Sequence, residues 1–91
     1  MIESPIENWV IDKAGQHGWF ARKMAWRGRN GAPDDFFAKD GRIVLIEMKR
    51  PGGKARPGQK KEHEALKAAG VEVHVCDNPL AALRILGVPS A

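Results

Sequence analysis

Asp34 closes the segment Asn30-Gly31-Ala32-Pro33-Asp34, and after a short gap the apolar run Arg42-Ile43-Val44-Leu45-Ile46 leads into Glu47-Met48-Lys49-Arg50. Hydrolysis of a phosphodiester needs a nucleophilic water, neutralisation of charge growing on the phosphate, and help for the departing oxygen. A magnesium ion held by one or two carboxylates serves several of these needs. Asp34 and Glu47 are the natural ligands, and the backbone carbonyl of Met48 offers a third oxygen. Lys49, two residues beyond Glu47 on a strand, projects the same way. Its ammonium is placed to position or help deprotonate the attacking water, or to stabilise the pentacovalent transition state. Taken singly, Glu-x-Lys is a common solvated strand end and Pro-Asp a good turn. Their succession around a hairpin, at the end of a strand apolar on both sides, is what points to a reaction centre.

The elements that must hold these residues follow from the flanking sequence. Ser4, Pro5 and Glu7 form a helix start with N-cap, first-turn proline and capping-box acid, and Ile6, Trp9, Val10 and Ala14 keep helical spacing until Gly15 or Gly18. Trp19 to Trp26 alternates roughly and predicts a strand, and Arg27 to Pro33 a basic loop. Asp35 to Ala38 reads as a short strand, Lys39-Asp40-Gly41 as a hairpin turn, and Ile43 to Lys49 as the returning strand. Both faces of that strand are apolar until Glu47, so it belongs inside a sheet covered by helices.

A basic, glycine-rich loop from Pro51 to Gly58 precedes a helix from Gln59 to Ala69. Then come an alternating strand, Val71 to Cys76, and a last helix, Pro79 to Leu86, with Leu80, Leu83 and Leu86 on one stripe. Strand, helix, strand implies a right-handed crossover and a parallel pair. The predicted fold class is therefore α/β, in the order αβββαβα, a mixed central sheet flanked by helices.

A chain of 91 residues and 10.0 kDa makes one domain, residues 1–91. Its net charge of +4 and pI near 9.6 suit a polyanionic partner. Arg27, Arg29, Arg50, Lys54, Arg56 and Lys60 flank the motif in sequence and are the candidate contacts to backbone phosphates. Cys76 is the only cysteine, which excludes an internal disulfide and a cysteine-built zinc site. No apolar run approaches the roughly 20 residues that cross a bilayer, and the first residues lack a signal peptide's basic and apolar regions. A cytoplasmic protein without a membrane partner is the expectation. His17, His63 and His74 show no paired ligand spacing, and His63 reads as a helix-surface residue, His74 as structural.

Gly31-Ala32-Pro33-Asp34, Ile46-Glu47-Met48-Lys49 and Gln59 at the start of the following helix together resemble the VRR-NUC group of the PD-(D/E)XK nuclease superfamily. The likeness takes in Glu3 to Glu7 and the Val-x-Val strand near Val73, so it spans roughly residues 3 to 77. It implies a restriction-endonuclease-like fold, Asp34 and Glu47 as metal ligands, Lys49 as the catalytic lysine and Gln59 supporting the site. Glu3 matches the family's helix-one glutamate, with Glu7 in reserve. Asp34 is preferred to Asp35 because it directly follows Pro33. Met48 replaces the more usual valine.

The resemblance further implies a Mg²⁺-dependent DNA endonuclease, with Mn²⁺ as substitute, acting inside a bacterial cell or phage-infected host. Its substrate would be branched DNA such as four-way junctions, cut by a homodimer with symmetric sites. Trp9, Trp19, Trp26 and Phe20 are candidates for the dimer face, against the alternative that they are core aromatics. From another class, the sequence also fits a non-catalytic nucleic-acid-binding module that retains the nuclease fold. The full set of Asp34, Glu47, Lys49 and Gln59 argues for the enzyme, since a binding module gains nothing from carboxylates converging beside phosphates.

Overall fold

The computed structural model describes residues 4–90. Helix α1 (Pro5–Gln16) starts where Ser4 Oγ accepts the Glu7 N–H at 3.2 Å and Pro5 fills the first turn. Strands β1 (Phe20–Lys23), β2 (Asp35–Lys39) and β3 (Arg42–Met48) follow, then α2 (Pro57–Ala68), β4 (Glu72–Cys76) and α3 (Pro79–Leu86). The sheet order is β1-β2-β3-β4, with the first two pairings antiparallel and β3 parallel to β4. The αβββαβα expectation is thus met, including the parallel pair across the α2 crossover. Glu3, the expected helix-one glutamate, lies outside the described residues.

The β2–β3 hairpin turns on Asp40 and Gly41, both at positive φ (50° and 82°), the conformation that matches the twist of the strands it joins. The pleat then sorts the side chains. Phe37, Val44 and Ile46 point to one face, where α1 contributes Val10 and Ala14 and α3 contributes Ala82, Leu83 and Leu86 to a single core. Trp19 belongs to that core, meeting the Phe37 ring edge-on at 6.5 Å, so it is not available to a dimer face. The opposite face carries Leu45 and Glu47 and receives α2, which packs toward β4.

Three expectations are corrected. First, β1 ends at Lys23, short of Trp26: one further ladder bond, Met24 N–H to Asp34 O at 2.8 Å, follows before the chain turns away toward α2. Second, β3 is not buried along its whole length on both faces. Ile43 is 50% exposed because α2 lies toward β4 and leaves the β1–β2 half of that face open. Third, α2 begins at Pro57 rather than Gln59, since proline is accommodated in a first helical turn that needs no N–H partner.

Candidate active site

Asp34 is fixed by the loop before it and by both neighbouring strands. Gly31 sits at φ +97°, and a Cβ there would stand 3.0 Å from Glu62 Cβ and 3.2 Å from the Gly58 carbonyl, so the loop lies directly on α2. Buried Pro33 follows, and Asp34 is then clamped. Its carbonyl accepts the Met24 N–H, and its Oδ2 accepts the Met48 N–H at 2.9 Å. Because Asp35 pairs with Ile46, Asp34 falls beside Glu47 in register, on the α2 face of the sheet.

Glu47 is 3% exposed. Its Oε2 accepts from Lys49 Nζ at 3.0 Å and from Gln59 Nε2 at 3.2 Å, while its Oε1 is buried without a partner. Burial raises the Glu47 pKa and the nearby Asp34 carboxylate adds to this, with Lys49 acting the other way. The orientation of the Gln59 amide is set from both ends, since its Oε1 accepts the Arg56 N–H at 3.2 Å. Gln59 thereby ties the start of α2 to the buried carboxylate. The structure brings Asp34, Glu47, Lys49 and Gln59 together. Met48 turns its side chain toward the α1 face and gives its N–H to Asp34.

On the α1 side, Glu7 approaches the same end of the sheet. A cavity of ≈ 400 Å³ is bordered by Glu7, Asp34, Lys49, Arg50, Asp77 and Asn78. Glu7 pairs with Lys23 at 3.6 Å. Of the two helix-one acids, Glu7 is the one the described residues place at the site. Asp35 takes the opposite face from Asp34 and is fully buried, its carboxyl facing that of Glu7, with which it shares a hydrogen bond. Its carboxyl is pushed up to about 9, by burial first and then by the Glu7 and Asp34 carboxylates, with Lys23 opposing.

His63 is a correction: far from lying on the helix surface, it is 3% exposed beneath α2. Burial lowers its pKa, helped by the Lys67 and Lys49 charges, while a hydrogen bond with the Gly31 backbone opposes. It stands four residues after Gln59, hence on the same helix face. That spacing was the available signal that His63 backs the Gly31 loop. Among the candidate phosphate contacts, Arg50 borders the cavity at Asp34, and Arg56 shares a second hollow with Asn30, Gly31 and Gln59. Lys54 and Lys60 border a third, beside His63. Arg27 is exposed. Arg29 is already engaged, its Nε donating to both Glu62 carboxylate oxygens at 3.2 Å.

The donor set fits a hard divalent cation. Asp34 and Glu47 are adjacent hard-oxygen carboxylates, and the orphaned Glu47 Oε1 is a buried acceptor for which a cation is the natural partner. Among the described residues, no three His, Cys, Asp or Glu side chains are gathered into a metal-holding group.

No family model matches the chain. It is 38% identical over 77 residues, 84% of this chain and 83% of the other, to a protein of Acyrthosiphon pisum secondary endosymbiont phage 1 named "Putative nuclease p44". A solved structure described as a VRR-NUC domain superposes with a TM-score of 0.75 at 28% identity, covering 92% of this chain and 97% of that one.

Proposed function

The chain belongs to the VRR-NUC family of nucleases, and from that premise we propose that it is a Mg²⁺-dependent, structure-selective DNA endonuclease. Mn²⁺ is the expected substitute, branched DNA such as four-way junctions the expected substrate, and a homodimer the working form, inside a bacterial cell or phage-infected host. The observation that carries the reading is the meeting of Asp34 and Glu47 beside Lys49 and Gln59, with Glu47 Oε1 buried and unpartnered. When bound, the cation would supply Lewis-acid stabilisation of the phosphate and lower the pKa of an attacking water. Asp34, Glu47 and the Met48 carbonyl would hold it, with Glu7 on the helix side.

The chain's own groups do the rest. Glu47 draws Lys49 Nζ to the site, where the ammonium can donate to the attacking water or to a phosphate oxygen. Gln59 keeps Glu47 in one rotamer. Exposed Arg50, Lys54, Arg56 and Lys60 would run the DNA backbone past the cavity mouth. Among the described residues no helix is long and apolar enough to cross a membrane.

Labelled linear duplex, single-stranded, flap and four-way-junction DNA, incubated with Mg²⁺ or Mn²⁺ and then with chelator, tests the proposal. We expect metal-dependent cuts that Glu47→Ala and Lys49→Ala each reduce by at least about 100-fold while binding persists. DNA left intact under every metal condition, with salt-sensitive binding retained, would establish the binding-module alternative instead. Light scattering decides the dimer, for which half-exposed Trp9 on α1 remains a candidate contact; a monomer at micromolar concentration removes the paired-site argument.

A further inference from the structure

The α2 face of the sheet is only half covered. Beyond the edge of α2, the open half presents Phe20 and Arg22 from β1, Phe36 and Ala38 from β2, and Ile43 from β3. The register sets Phe20 opposite Ala38, Arg22 opposite Phe36, and Ala38 opposite Ile43, so all five share one face. Phe20 is 52% exposed and stands edge-on to Phe36 with ring centroids 6.2 Å apart. The Arg22 guanidinium lies 4.1 Å from the Phe20 ring centroid, held by an N–H to the Ala21 carbonyl at 2.8 Å.

This patch is continuous with the candidate site. Phe36 follows Asp34 by two residues on the same face, about 7 Å along the strand, and the Phe20–Ala38 pair lies about 7 Å further on. A strand of DNA whose phosphate rests at Asp34 and Glu47 and whose next nucleotides run down β2 passes Phe36 and Arg22, then Phe20. We infer that this face is a stacking platform for unpaired bases next to the scissile phosphate. The inference rests on the nuclease reading for the position of that phosphate and extends it to the form of the substrate.

Chemistry favours bases over a second protein surface as the occupant. Phe20 and Ile43, each half exposed, offer roughly 100 Å² apiece. With partly buried Phe36 and Ala38, the patch remains well below the roughly 800 Å² per partner of a stable protein interface. An arginine over a phenylalanine on the β1 side of the patch is instead suited to meet a base and its phosphate. A base inside a duplex has both π-faces occupied by its neighbours. Only an unpaired one can lie on Phe20 or Phe36, as in proteins that bind single strands through aromatic platforms.

The test measures binding by fluorescence anisotropy, in chelator so that nothing is cut, to a fully paired duplex and to the same duplex carrying a single-stranded arm. Wild type should prefer the armed duplex. Phe20→Ala and Phe20→Leu should each weaken armed-duplex binding by about 5- to 150-fold, the worth of one stacked base, leaving paired-duplex binding within about two-fold. Phe20→Trp should retain the preference. Phe20→Leu keeps the apolar area, so a Leu variant that binds as wild type does would overturn the proposal, as would a wild type indifferent to the arm. Light scattering on the same proteins provides the other arm: loss of a dimer in Phe20→Ala with armed-duplex affinity unchanged would make this face a contact between copies. Cleavage with Mg²⁺ is scored separately. Wild-type protein that cuts nothing defeats the nuclease reading, whereas Phe20 variants that bind armed DNA normally defeat only the platform.

Discussion

Asp34 and Asp35 differ by one position, and the pleat of β2 sends them to opposite faces of the sheet. Asp34 borders the cavity and lies beside buried Glu47 in register; Asp35 is sealed against α1, its carboxyl facing Glu7. The family resemblance prefers Asp34 because it directly follows Pro33. Nothing local could reveal that Asp35 is buried, because its burial depends on which face α1 covers. The consequence is a pH dependence of known sign. The unfolded Asp35 ionises near 4, whereas in the fold its carboxyl is pushed up to about 9. Between those values the folded protein holds a proton that the unfolded chain has lost, so stability falls as pH rises across that window. Asp35→Asn keeps the shape and removes the ionisation. In chelator, thermal melting should show the Asn variant gaining on wild type steadily from pH 5 to pH 9. A constant difference across that range would mean Asp35 is not held protonated.

Elements became legible in proportion to how local their causes are. Asp40-Gly41 fixes the β2–β3 hairpin by its own backbone preference, and Ser4 and Pro5 fix the start of α1. The length of β1 and the exposure of Ile43 were hidden, since both depend on where α2 settles after its crossover. The seat of α2 is itself specific: Gly31 and His63 hold the loop before Asp34 against it, and Gln59 reaches Glu47 from it. Gly31→Ala should therefore act on stability and site together. Its backbone stands at φ +97°, and the new methyl would meet the Gly58 carbonyl, which cannot move without shifting the helix. A loss of roughly 1–3 kcal/mol of unfolding free energy is expected, measured by urea titration. Single-turnover cleavage should fall beyond what the unfolded fraction explains, because both Asp34 and Gln59 are displaced. A stable variant with normal turnover would show that the loop does not set the site.

At the scale of the whole molecule, the net charge of +4 indicated a polyanionic partner but not which cations face it. Six basic residues flanking the motif look equivalent in sequence; in the fold they are not. Arg56 is exposed beside the Gly31 hollow with its side chain open to a phosphate, whereas Arg29 already donates to both oxygens of Glu62. That pair is solvent-exposed on the arginine side, so it adds at most about 1 kcal/mol to stability. It nevertheless takes Arg29 out of the count of phosphate-neutralising groups. Each neutralised phosphate contributes about −0.9 to the slope of log K against log salt concentration on duplex DNA. Binding of a paired duplex, followed by anisotropy between about 50 and 200 mM salt, should give a slope shallower by about 0.9 in Arg56→Ala. In Arg29→Ala the slope should stay within error of wild type. Equal losses in the two variants would mean that Glu62 releases Arg29 to the DNA, and that the basic track runs across both loops rather than along the α2 side alone.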